Sequence, residues 1–147
     1  MLCEQEVAEL TSDLQRTRAD FENYRKRVDA EKQSAHELGQ TKSVMKLLPV
    51  IDTIERAVAN VPEEIQDNAW VKGVAGLNKQ LDKQLKEIGL EKIDAKPGTF
   101  FNPEFHQAVQ FDESTDGDKE VVAEELRAGY TLNGSVIRDA MVKVARQ

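Results

Sequence analysis

Along the first forty-five residues the positions of one repeat recur in alternating steps of three and four. Val7, Leu10, Leu14, Thr17, Phe21, Tyr24, Val28, Glu31, Ala35, Leu38, Lys42 and Met45 hold those positions. On an α-helix they fall along one narrow stripe, because seven residues nearly match two turns. The spacing predicts a long dimerisation helix over residues 1–46, paired as in a coiled coil. At 1.5 Å per residue it would run about 65 Å, too long for the rest of its own chain to cover. Its dimer seam is Val7, Leu10, Leu14, Phe21, Tyr24, Val28 and Leu38. Thr17, Glu31 and Lys42 put polar groups where apolar knobs pack, and Gly39 costs about 1 kcal/mol against alanine inside a helix. The pairing should therefore be marginal, either to set register or to melt on heating.

The next stretch, Leu47-Leu48-Pro49-Val50-Ile51, is read as ending one helical pattern and starting another, since proline is tolerated in a first turn but not in an interior. Ile51, Ile54, Ala57, Val58 and Val61 follow helical spacing up to Pro62. A second arm puts Val71, Val74, Leu77, Leu81, Leu85 and Ile88 on one face, and Gly89 closes it with a left-handed cap. Residues 47–89 thus read as a helical hairpin, and two copies would close a dimeric four-helix bundle. Gly73 and Gly76 weaken the second arm and suggest close approach of another backbone.

Composition changes at Gly89. Four of the five phenylalanines lie between Phe100 and Phe111. Short β-like runs follow: Leu90 to Ile93, Ala108 to Phe111, Val121 to Leu126, Tyr130 to Leu132, Val136 to Arg138 and Met141 to Val144. Asn133-Gly134 signals a hairpin and Asp116-Gly117-Asp118 another turn. Residues 90–147 are expected to form a small all-β domain that leans on the helices, because so few residues make a thin core alone. The fold class is α+β.

The 147 residues carry a formal charge of −7, which argues against phosphate-backbone binding and attraction to anionic lipid. Arg25-Lys26-Arg27 is the one basic cluster, flanked by Glu22 and Asp29, and reads as a solvated or protein-contacting helix face. Cys3, the single cysteine, falls in register with the seam and asks for no oxidising compartment. No run approaches membrane-spanning length and no signal-peptide pattern opens the chain, so a cytoplasmic location is expected. His36 and His106 lack further ligands at metal spacing, and no nucleophile context or phosphate loop is present. The chain reads as a non-enzyme without metal or cofactor, with His106 fixing its loop by hydrogen bonds.

Four strings in order carry a resemblance. They are Asp20-Phe21-Glu22-Asn23-Tyr24-Arg25-Lys26-Arg27, then Leu47-Leu48-Pro49-Val50-Ile51-Asp52, then Phe101-Asn102-Pro103-Glu104-Phe105-His106-Gln107-Ala108-Val109. The last is Gly129-Tyr130-Thr131-Leu132-Asn133-Gly134, running on to Val136-Ile137-Arg138 and Ala140-Met141-Val142-Lys143-Val144. From about Asp20 to Ala145 the sequence resembles GrpE, the nucleotide exchange factor family of DnaK-type chaperones. The resemblance implies a parallel homodimer whose β-domains spread like wings, one of them gripping the chaperone ATPase domain and holding its nucleotide cleft open. ADP would then leave.

Carried over, the partner contacts would be Arg25, Gly73, Leu126 and Val144, while Arg138 and His106 are read first as holding the wing together. Ser34 stands where a basic residue can add to the contact. The chain also begins almost at the seam, without the long acidic leader many members carry. Such a factor needs differential affinity for open and closed partner, not a catalytic group. A coiled-coil scaffold whose β-domain binds a protein without nucleotide exchange is the alternative. An enzyme relying on His106 is a distant third.

Overall fold

The computed structural model describes residues 2–147. Helix α1 runs Leu2–Ala59 and α2 runs Ala69–Glu87, with a single 3-10 turn at Glu63–Ile65 between them. Six strands follow: β1 Leu90–Lys92, β2 His106–Phe111, β3 Glu120–Arg127, β4 Tyr130–Leu132, β5 Ser135–Arg138 and β6 Ala140–Arg146. The class is α+β. Contacts divide the chain into two units, one ending at Lys42 and one running Ser43–Gln147.

The expected break at Pro49 does not occur, and α1 passes through it. An interior proline removes one backbone hydrogen bond and crowds the preceding turn, at about 3 kcal/mol. Burial around it offsets that. Val44, Leu48 and Ile51 stand on one face, 4%, 1% and 2% exposed, and share a core with Leu85, Leu90, Ala128, Tyr130 and Leu132. Each fully buried Leu or Ile stabilises by about 1.5–3 kcal/mol, so the continuous helix wins. The Thr53 hydroxyl also donates to the Pro49 carbonyl at 2.9 Å. The segment read as a separate first arm is therefore the end of α1, which stops at Ala59.

Asn68 caps α2, its side-chain oxygen accepting from the Trp70 N–H at 2.9 Å. At the other end Gly89 has φ +89 and its N–H donates to the Lys86 carbonyl. A Cβ there would also collide with the Asn133 side chain. Only glycine meets both demands. Asn133 and Gly134, at φ 50 and 85, make the tight turn between β4 and β5, and the Asn133 N–H donates back to the Gly89 carbonyl at 2.9 Å.

The strands form two three-stranded sheets, ordered β1-β4-β5 and β2-β6-β3. The first is antiparallel throughout. In the second, β6 pairs antiparallel with β3 but parallel with β2. A second core gathers Ile93, Ala95, Val122, Ala140, Val142 and Val144, with Phe101, Phe105 and Ala108 packed against it. Gly129 sits at the crossing, its N-terminal neighbour Ala128 in the first core, and a Cβ on it would strike the backbone of Asp139 and Ala140.

Candidate partner-binding surface

Two kinds of surface lie open: apolar stripes on the helices and a mixed face on the β-domain. In the first unit Val7, Leu10, Leu14, Phe21, Tyr24 and Leu38 are each more than half exposed. Val28 is half-buried. A stripe of this width would be covered by a partner helix. Arg25 and Ser34 are exposed on the same helix. Beside Arg25, Arg27 pairs with Glu31 at 3.7 Å and lies 5.6 Å from the Tyr24 ring centre. These are surface contacts of small energetic weight.

In the second unit, Leu47 and Val50 are exposed on α1, and Trp70 and Leu77 on α2. The apolar face of α2 divides within one chain. Leu85 is buried and Leu81 partly so, while Leu77 is 65% exposed. Gly73 lies three residues after Trp70 and four before Leu77, which puts it on the open side. No atom stands within 4 Å of where a Cβ on Gly73 or Gly76 would be. The close backbone approach expected at these glycines is not made inside one chain. Ala57, Val58, Val61, Trp70, Val71 and Val74 line a groove between the end of α1 and the start of α2.

On the β2-β6-β3 sheet, residues alternate between core and surface. Ala140, Val142 and Val144 of β6 turn inward, and Met141 and Lys143 outward. Outward rows are Gln107, Met141 and Arg127, then Gln110, Lys143 and Glu124. Leu126, 42% exposed, sits at an irregularity in β3 between Glu125 and Arg127. Such bulges re-aim a side chain out of the regular alternation.

Val144 is different. It is 1% exposed and belongs to the second core, so its side chain is not the surface contact expected of it. It alternates with Val142 and Ala140, and period two places all three on the inner face. Leu126 remains the apolar candidate on this domain from that expected set.

His106, 5% exposed, joins two loops. Its Nδ1 accepts from the Asn102 N–H at 3.0 Å, which leaves Nε2 protonated and donating to the Asp94 carbonyl at 2.7 Å. Asn102 in turn accepts from Glu104 N–H through its side chain and from His106 N–H through its carbonyl. Both ring nitrogens are thus committed, and the imidazole is a brace.

Arg138 is held by contacts on two sides. Its Nη1 and Nη2 donate to the two Asp52 carboxylate oxygens, each at 2.7 Å, and Nε and Nη2 donate to the Ala128 carbonyl at 3.0 and 2.6 Å. The guanidinium lies 5.3 Å from the Tyr130 ring centre. Such a planar fork bound at both sides is held in one orientation. Burial pushes the Tyr130 phenol upward, and the neighbouring Glu55 and Asp52 charges add to the effect. Nearby, Lys92 Nζ reaches Glu55 at 3.2 Å and Glu125 at 3.9 Å. Burial raises the Glu125 carboxyl above its ordinary value, against the opposing pull of Lys92.

Three of these residues carried no functional reading in the sequence. Trp70 signals itself only as the sole tryptophan, seven residues before Leu77. Asp52 lies inside a resembling string but 86 residues from Arg138. Glu55 is a helical carboxylate like many others. Neither periodicity nor local spacing marks such long-range ion pairs.

Among the described residues no group of three His, Cys, Asp or Glu side chains is placed to hold a metal ion. None of the described helices is long and apolar enough to cross a membrane. Comparison with known proteins gives a match to the family model GrpE over residues 2–146. The chain is 42% identical over 136 residues to Protein GrpE of Lachnoclostridium phytofermentans, covering 92% of this chain and 60% of that one. It is 38% identical over 135 residues to Protein GrpE of Halalkalibacterium halodurans, covering 92% and 69%. With Protein GrpE of Vibrio cholerae the identity is 35% over 147 residues, covering 99% and 73%. The chain thus spans roughly three-fifths to three-quarters of the length of these relatives.

Proposed function

Because the chain belongs to the GrpE family, we propose that it works as a homodimeric nucleotide exchange factor, binding the ATPase domain of a DnaK-type chaperone in the cytoplasm and promoting ADP release. The observation that carries this reading is the family match over residues 2–146, which takes in the seam, the second helix and all six strands. The open stripes support the dimer: Val7, Leu10 and Leu14 on one side, Leu47, Val50, Trp70 and Leu77 in the second unit. Two copies would cover them in a paired helix, residues 1–46, and a four-helix bundle, residues 47–89, leaving residues 90–147 as the wing.

The mechanism needs no reacting group. A rigid domain that fits the open spacing between the chaperone's lobes better than the closed one must, by linkage, weaken ADP binding in the complex. Each tenfold of weakening corresponds to about 1.4 kcal/mol. Leu126 supplies an exposed apolar contact on the wing, with Arg25 and Gly73 contributing from the helices. His106 acts inside the domain, and Arg138 ties the domain to Asp52 on α1. Polar residues Glu31 and Lys42, with Gly39, make the paired helix the first element to melt on heating, and exchange would fall with it.

The test is release of a fluorescent ADP analogue from a DnaK-type chaperone, chased with unlabelled ATP. Acceleration saturating near one dimer per chaperone is the expected result, and Leu126→Asp should abolish it while the dimer persists. A folded dimer that binds the chaperone without accelerating release would support the scaffold reading instead.

A further inference from the structure

The strand on either side of Leu126, at Glu125 and at Ala128, is tied to one face of α1. On the C-terminal side of Leu126, the Ala128 carbonyl accepts from Nε and Nη2 of Arg138, whose Nη1 and Nη2 also donate to Asp52. On its N-terminal side, Glu125 shares Lys92 with Glu55. Asp52 and Glu55 are three residues apart and therefore neighbours on one helix face. One carboxylate pair on α1 thus reaches, through one arginine and one lysine, Ala128 two residues after the exposed leucine and Glu125 just before it.

We infer that Asp52 and Glu55 are positioning residues for the exchange surface, mounting the β-domain on α1 so that Leu126 is presented at one angle. This rests on the exchange reading above. Arg138 is 12% and Asp52 24% exposed, so the first tie is partly desolvated and directional. The Lys92 tie is looser, with the lysine 45% exposed. The bidentate pair would set the angle and the lysine would limit rocking about it.

A loosened mount has a signature distinct from a lost contact. A β-domain free to tilt fits closed and open chaperone more equally, so discrimination falls while binding to the nucleotide-free form persists. Removing the contact itself weakens binding directly. A purely structural ion pair changes the melting temperature but leaves both quantities intact wherever the protein is folded.

The experiment compares wild type, Asp52→Asn, Asp52→Glu, Glu55→Gln and Leu126→Asp as full chains at a temperature where near-ultraviolet circular dichroism shows each folded. Two quantities are read for each: affinity for nucleotide-free chaperone, and acceleration of ADP release at saturating factor. Asp52→Asn should lose about tenfold of the saturating acceleration, within the usual range of coupling between sites, with a smaller change in affinity. Glu55→Gln should lose less, and Asp52→Glu should recover part of the loss. If Asp52→Asn does not fold, Glu55→Gln carries the comparison.

Wild-type acceleration in both Asn and Gln variants overturns the inference. So does a loss of affinity and acceleration in equal proportion, as expected of Leu126→Asp. A wild type that does not accelerate release sinks the exchange reading and the positioning role together, which separates that failure from the other two.

Discussion

The same helix behaves in opposite ways on either side of Lys42. Before it, Val7, Leu10, Leu14, Phe21 and Leu38 repeat with helical regularity and stand more than half exposed. After it, Val44, Leu48 and Ile51 repeat in the same manner and are almost fully buried, because Leu85, Leu90, Tyr130 and Leu132 of the same chain pack against them. An apolar repeat specifies a face. What covers the face is a separate matter, and it fixes which kind of stability the segment has. The buried stretch is stabilised within one molecule, whereas an exposed one of this kind gains only by association and so depends on concentration.

The contrast can be broken most severely at Val144. Val144→Asp puts a carboxylate into a core shared with Val122, Ala140 and Val142, at about 4 kcal/mol or more, and should unfold the β-domain. Loss of the cooperative near-ultraviolet transition at any protein concentration would be seen; a folded domain would show that the side chain has a route to solvent. Leu14→Asp should act the other way round. On the proposed pairing it weakens association by about 3 kcal/mol per dimer and shifts sedimentation toward monomer, with the β-domain transition unmoved. An unchanged monomer–dimer balance would remove Leu14 from the seam.

A gentler change sharpens the same line. Glu31→Leu with Lys42→Leu fills two polar seam positions and should raise the first helical transition, followed by far-ultraviolet circular dichroism, by about 1–2 kcal/mol of pairing. Identical melting would take away the physical basis for heat-sensitive pairing. The smallest effect belongs to Glu125. Burial raises its carboxyl above the ordinary 4.5, so the folded state holds the proton more tightly than the unfolded chain does. Its contribution is favourable below the unfolded value and is lost as pH rises through the folded one. Glu125→Gln should therefore raise the melting temperature slightly at pH 7 and leave it unchanged near pH 3. A loss of stability at pH 7 would mean that the contact with Lys92 outweighs burial.

Much of the architecture could be read from local pattern. Six short apolar runs separated by turn signals became six strands, and Gly89 and Asn133-Gly134 stand where left-handed backbone is needed. Pairing was another matter. Period two tells which face a residue occupies but not which strand lies beside it, so the parallel β2–β6 pair left no trace in the sequence. Pro49 misled because proline's local penalty is fixed while the burial that offsets it depends on Leu90 and Tyr130, some forty to eighty residues away. Resemblance places Val144 at the surface, yet its alternation with Val142 marks an inner position. Asp52 and Arg138 belong to two separate strings, and only the folded chain joins them.

The cap of α2 and the turn of the β4–β5 hairpin are a single contact, made where Gly89 lies against Asn133. Variation at these two positions is consequently not independent. A side chain at 89 would collide with the Asn133 side chain, which already lies against the Gly89 backbone. Among descendants of this chain glycine should therefore persist at 89, where the positive φ remains whatever stands at 133, and the changes tolerated at 133 should be those that keep clear of it.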